Sequence, residues 1–218
     1  MVLKKPKKSG GTGKKWIKYL LVGTNLILPL QVLALTEEFD SNLLQSRQKE
    51  IEEERVEKDR FFKENPKSPL RAQDIIDFKK LDYYPIDFRY VFTGEIERNP
   101  KGRTEYINLP TSKGNFRKYV KEGKFRFSID GREFVLTIYR HLGRPNFFLP
   151  FKDKTNGLET YENGRYLEVE CVGEKRVIID FNKASNPYCA YNPKYTCPYA
   201  NDENTLDTAI RCGEKRFK

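Results

Sequence analysis

The chain has 218 residues, enough for one domain of about 100–200 residues with attachments. Its 38% hydrophobic, 33% charged and 13% aromatic content is too aromatic for a disordered chain, and with Gly 14, Pro 12 and no internal period it excludes collagen-like, coiled-coil and repeat architectures. The net charge of +10 gathers at one end: Lys4, Lys5, Lys7, Lys8, Lys14, Lys15 and Lys18 precede the first acid, Glu37, leaving 34 basic against 31 acidic side chains beyond them, which argues against nucleic acid as a partner.

These lysines lead into one apolar run, Tyr19–Leu30, followed by Gln31-Val32-Leu33-Ala34. A positive segment, a short apolar segment and small residues at Val32 and Ala34 match an export signal cleaved after Ala34. Pro29 is expected to break the helix and leave an extended segment at the cleavage site. The alternative is an uncleaved membrane anchor, since the 20 residues from Trp16 to Leu35 match a bilayer crossing, although Lys18, Asn25, Pro29 and Gln31 suit it poorly. Both readings place the remainder outside the cytosol, as a periplasmic, secreted or lumenal protein. The expected organisation is a signal or anchor over 1–34, a charged helical segment over 35–66 and a β-rich domain over 67–218.

Glu37–Lys63 has a thin apolar stripe (Phe39, Leu43, Leu44, Ile51, Val56, Phe61, Phe62) and dense mixed charge, with pairs such as Glu54–Lys58. This predicts a solvated helix that docks by one end, stopped by Asn65-Pro66. Ser68-Pro69 is expected to start a second helix whose buried side is Ile75, Ile76, Phe78 and Leu81. From Tyr84 the period changes to two. Strands are predicted at Phe88–Glu97, Arg103–Leu109, Lys124–Ile129, Glu133–Arg140, Asn146–Leu149, Arg165–Cys171 and Arg176–Phe181. Asp130-Gly131 between alternating runs specifies a tight hairpin, because both turn residues need positive φ. A short helix is expected at Asn204–Arg211. The fold class is therefore mainly β, an antiparallel sandwich or barrel-like domain with N-terminal helices and a loop-rich C-terminal segment.

That C-terminal segment, Asp180–Lys215, carries two Asn-Pro pairs, a Cys-Pro and a cluster of tyrosines. A rigid loop has no ladder to satisfy its backbone, so Asn182, Asn186, Asn192 and Asn204 are expected to bond main chain. Four cysteines allow three pairings, of which Cys189–Cys197 with Cys171–Cys212 is preferred for an exported chain. Zinc is disfavoured, because His141 is the only histidine and no Cys-x-x-Cys occurs. The one nucleophilic triad the sequence offers is Cys189 with His141 as base and Asp180 as orienter.

Dense strings run through this half of the chain: Phe148-Leu149-Pro150-Phe151-Lys152-Asp153-Lys154-Thr155-Asn156-Gly157, Gly164-Arg165-Tyr166-Leu167, Asn186-Pro187-Tyr188-Cys189-Ala190-Tyr191 and Gly213-Glu214-Lys215. With Asp59–Lys63 and Ser68-Pro69-Leu70 they resemble the domain of unknown function 1684 family over about 160 residues. The resemblance implies a domain type and no mechanism. Cys189 and Cys197 fall on the family pattern, whereas Cys171 and Cys212 do not. Asp153, Thr155, Asn156 and Gly157 read as a self-bonded turn. Arg165 between Glu159, Tyr161 and Tyr166 is either a ligand site for a carboxylate, phosphate or sugar or a buried ion pair holding that turn. Asp153, Glu159 and Asp180 are candidate paired carboxylates for glycoside cleavage, without a spacing that singles them out.

The function expected is an exported, non-catalytic β-domain that binds a small polar ligand or a protein partner. The candidate ligand residues are Asp153, Glu159, Tyr161, Arg165 and Tyr166, and no cofactor or metal is expected. The alternatives are a Cys189/His141 hydrolase and a scaffold subunit of a membrane-associated complex.

Overall fold

The computed structural model describes residues 30–100, 103–143, 146–173 and 176–218, with the backbone alone over 30–40. The chain divides into two units, Met1–Leu43 and Leu44–Lys218. Helix α1 spans Leu30–Glu64, so Gln31–Ala34 are helical where an extended cleavage segment was expected; residues 1–29 of the leader lie outside the described residues. Among the described residues no helix is long and apolar enough to cross a membrane.

Within the second unit, α1 packs along its length instead of by one end. Ile51 and Phe62 are buried, while Lys183 pairs with Glu50 at 2.8 Å and Glu54 at 2.7 Å. The expected Glu54–Lys58 pair is replaced by these tertiary partners, Lys58 reaching Glu214 at 2.7 Å. The second helix is shorter than expected, α2 at Ala72–Asp77. Ser68 does not cap it. Its hydroxyl donates to the Phe62 carbonyl at 2.6 Å and accepts from the Leu70 amide at 3.2 Å, closing the turn after α1. Ile76 is exposed; Phe78 and Leu81 face inward.

The domain is mainly β, and its sheets are antiparallel. Strands β1 (Val91–Glu95), β8 (Glu170–Val172) and β9 (Arg176–Asp180) form one sheet in the order β1-β9-β8. The other sheet runs β2-β4-β5-β6-β7, built from Glu97–Arg98, Phe116–Ile129, Arg132–His141, Phe147–Phe151 and Arg165–Glu168. Strand β3 (Glu105–Pro110) pairs with the first half of β4. Both turn residues of the β4–β5 hairpin have positive φ, 49° at Asp130 and 77° at Gly131, as the sequence requires. Phe88–Tyr90 form a 3-10 turn instead of the start of a strand. Asn204–Arg211 is not a helix; only Asp202–Asn204 make a 3-10 turn there.

The inner faces bury Phe125, Phe127, Leu136, Ile138, Leu149, Phe151 and Leu167 against Val177 and Ile179 in one apolar cluster, consistent with a sandwich. A second cluster lies on the outer face of the larger sheet: Leu109, Tyr119, Tyr139 and Phe148. A β-bulge makes both possible. The register of β4 against β5 shifts between Lys121 and Gly123, so Tyr119 (opposite His141) and Phe125 (opposite Leu136) point to opposite faces despite their even spacing. Gly123 has φ 156°, and a Cβ there would lie 2.4 Å from the Glu97 carbonyl, so only glycine fits.

The C-terminal segment covers that outer face and closes the core. All four predicted asparagines bond main chain. Asn204 is the most committed, accepting from the Thr137 amide at 2.8 Å and donating to the carbonyls of Thr137 at 2.9 Å and Pro150 at 2.8 Å. The others reach Asp87, Lys215 and Lys194 respectively. Gly213 lies where φ is 73° and a Cβ would stand 2.6 Å from the Ala184 carbonyl and 2.7 Å from that of Phe181. Gly213→Ala is expected to cost about 2–3 kcal/mol, read as a lower urea midpoint with an unchanged slope.

Candidate functional site

The residues expected to bind a ligand divide into two groups. Arg165 and Asp153 lie inside the protein, their side chains fully excluded from solvent and paired at 2.9 Å. Arg165 sits in β7 beside Leu167 on the inward row and also donates to the carbonyls of Ile210 (2.8 Å), Glu214 (3.3 Å) and Cys212. Asp153 accepts from the Thr155 amide and hydroxyl and from the Ile210 amide at 3.1 Å. This is the ion-pair reading of Arg165, not the ligand reading, because no face of the guanidinium is open. The turn is self-bonded as expected, with Gly157 at φ 80°. Glu159 is occupied by the Tyr84 hydroxyl at 3.0 Å and by Arg211 at 2.9 Å.

Asp180 is also engaged. It caps the turn at Phe181–Lys183 through the Asn182 amide and pairs with Arg47 at 3.3 Å. Asp180 is thus committed to Asn182 and Arg47, and Cys189 to Cys197 and Tyr161. Asp153, Glu159 and Asp180 are each committed to a different cation: Arg165, Arg211 and Arg47.

Tyr166 belongs to the second group. It lines a cleft of about 840 Å³ on the outer face of the larger sheet, between the sheet, the end of α1 and the C-terminal segment. The floor is aromatic: Tyr119 stacks on Phe148 at 5.4 Å, His141 lies 4.7 Å from Tyr119, and Tyr166 meets Phe148 edge-on at 4.8 Å. The Tyr166 hydroxyl donates to the Pro198 carbonyl, and burial pushes its phenol well above the ordinary range, so it stays a donor. The rim carries Tyr188 and Tyr195, ring centroids 5.3 Å apart, with Tyr188 exposed. Charges of both signs surround it, Lys58 and Arg117 against Glu54, Glu57 and Glu168.

Cys197 lines this cleft; Cys189 stands beside it. The Cys189 amide donates to Cys197 Sγ at 3.2 Å, and the Tyr161 hydroxyl lies 3.7 Å from Cys189 Sγ. Hydrogen bonding from Cys197, then from Tyr161 and Ser112, draws the Cys189 thiol down to about 7 against the opposing effect of burial. Cys189 and Cys197 adjoin, and all four cysteines are free thiols where two disulfides were expected. Cys171 is exposed on β8 and Cys212 is enclosed in the core, so the second expected pairing is not prepared. Among the described residues no group of three or more His, Cys, Asp or Glu is placed to hold a metal ion.

A family model described as Protein of unknown function (DUF1684) matches residues 76–215. The chain belongs to that family. It is also similar to the solution NMR structure of an uncharacterized protein of Haloarcula marismortui, with a TM-score of 0.59 and 31% identity over 83% of this chain and 95% of that one. No curated protein matches it. The matched span of the DUF1684 domain holds both the sheet floor and the C-terminal rim of the cleft. Tyr119 and Tyr195 were not singled out by sequence reasoning, and Phe148 and Tyr188 only as members of the strings that carry the family resemblance. The bulge that turns Tyr119 outward leaves only one trace in the sequence, Gly123 inside an alternating strand.

Proposed function

We propose that this DUF1684 protein is an exported, non-catalytic binding domain whose aromatic cleft takes a small, neutral, polyhydroxylated ligand. The single observation that carries the reading is the cleft itself: about 840 Å³, with a floor of Tyr119, Phe148, Tyr166 and His141 that is held rigid by the sheet. Its size suits a small ligand, and flat apolar rings with polar tips suit one whose faces are apolar and whose edges hydrogen-bond. The mixed rim disfavours an anion, because Glu168 and Glu57 offset Arg117, and Lys58 is already paired with Glu214. Export rests on the lysine-led apolar leader. Binding is favoured over hydrolysis because Asp180 is already committed to Arg47 and to the Asn182 amide.

A thermal-shift screen with neutral mono- and disaccharides tests the cleft. A ligand at 100 times its Kd is expected to add about 2.7 kcal/mol to stability and raise Tm accordingly. Tyr188→Ala, at an exposed rim position, should remove the shift while leaving the unliganded stability within about 0.5 kcal/mol of wild type. A panel without any shift, or a shift that persists in Tyr188→Ala, overturns the reading.

A further inference from the structure

We propose that Cys189 and Cys197 form a reversible dithiol–disulfide couple at the rim of the cleft, in which Cys189 attacks low-molecular-weight disulfides and Cys197 resolves. The proposal does not depend on what the cleft holds. Two sulfurs are required for such chemistry, one reachable and one held ready behind it. Cys189 is partly exposed and Cys197 is buried, yet the Cys189 amide lies 3.2 Å from Cys197 Sγ. The backbone keeps them there. Cys197 accepts from the Ser112 amide at 2.9 Å through its carbonyl and donates its own amide to the Ser112 hydroxyl at 3.1 Å. Cys189 sits in the 3-10 turn Tyr188–Ala190, entered from Pro187.

The surroundings are asymmetric in the direction such a couple needs. Tyr161, 3.7 Å from Cys189 Sγ, stays protonated because burial raises its phenol, so it can donate to a thiolate there. Hydrogen bonding with Cys189, and burial with it, pushes the Cys197 thiol up while the Cys189 thiol falls to about 7. Cys212 provides an internal contrast: burial in the core pushes its thiol up to about 12, and no second cysteine adjoins it in the cluster.

In the reaction the Cys189 thiolate attacks one sulfur of an oxidised reagent RSSR, forming Cys189–S–SR and releasing RS⁻. Cys197 then loses its proton to water, and its thiolate attacks the Cys189 sulfur, expelling the second RS⁻. Two protein thiols are oxidised, and one disulfide is reduced to two thiols. The product closes the loop that carries Tyr195 and fixes it against Tyr188 at the rim.

The test uses the reduced full chain, limiting iodoacetamide and oxidised glutathione, read by peptide mass spectrometry. Cys189 should alkylate ahead of Cys197 and Cys212, with a rate that reaches half its maximum near pH 7. Tyr161→Phe should move that midpoint upward. Oxidised glutathione should convert wild type to the Cys189–Cys197 disulfide, and Cys197→Ser should stop at a stable adduct on Cys189. Faster labelling of Cys197, equal labelling of the two, or a glutathione adduct that persists on wild-type Cys189 overturns the proposal. The wild-type readouts decide it even if Cys197→Ser fails to fold.

Discussion

Arg165→Met is expected to destabilise the domain by about 3–5 kcal/mol, a large part of the 5–15 kcal/mol that holds a typical domain folded. The reason is what remains behind. The Asp153 carboxyl would lose its cation in a site with no solvent access, and the carbonyls of Ile210, Cys212 and Glu214 would lose their donor. The stretch Ile210–Glu214 of the C-terminal segment is thereby detached from β7. Lysine should not rescue this. One ammonium cannot span the acceptors that a planar fork reaches, and the guanidinium also lies over the Phe151 ring at 5.2 Å. Arg165→Met with Asp153→Asn should recover part of the loss, because the carboxyl that lost its partner goes. Equilibrium unfolding in urea measures all three variants; a loss below about 1 kcal/mol for Arg165→Met would show that the pair is not buried as described.

Glu214→Ala should cost a similar amount, about 3–5 kcal/mol, for a different geometric reason. Its carboxylate is 1% exposed and joins three parts of the domain. It accepts from Lys58 of α1 at 2.7 Å, from the Asn186 side-chain amide at 2.9 Å, and from the Tyr191 hydroxyl. Burial and the neighbouring carboxylate hold the Tyr191 phenol well above its ordinary range, so it acts as a donor. Without Glu214, two buried donors lose their acceptor and α1 loses its inner ion pair. Glu214→Gln keeps the shape without the charge and is expected to fall between wild type and alanine. Because the Glu214 carbonyl also accepts from Arg165, the two substitutions share a network, and their combined loss should be less than additive. Additive losses in urea would show that the two sites are independent.

Strong local signals were legible in the residues. The Asp130-Gly131 turn needed positive φ at two positions, and only a tight hairpin supplies that between alternating strands. The Asn-rich segment had to satisfy its own backbone, and its four asparagines do so. Propensity misled where tertiary partners compete. Ser68 reads as a helix cap, but the Phe62 carbonyl at the end of α1 was a nearer use for its hydroxyl. Residues 204–211 have acceptable helix formers, yet Asn204 is drawn into the sheet by three bonds and Ile210 bonds Asp153. Glu54 and Lys58 are spaced to pair on an isolated helix, and each finds a better partner across the fold.

By itself, the amino-acid order determined the mainly antiparallel β architecture and the family, because period-two patterning, turn chemistry and long residue strings act locally along the chain. Only the tertiary structure decided that Arg165 is interior and that Tyr119 and His141 face outward. Both depend on which strand row points inward, and in β4 one bulged residue at Lys121–Gly123 reverses the row that carries Tyr119 without changing the composition of the strand.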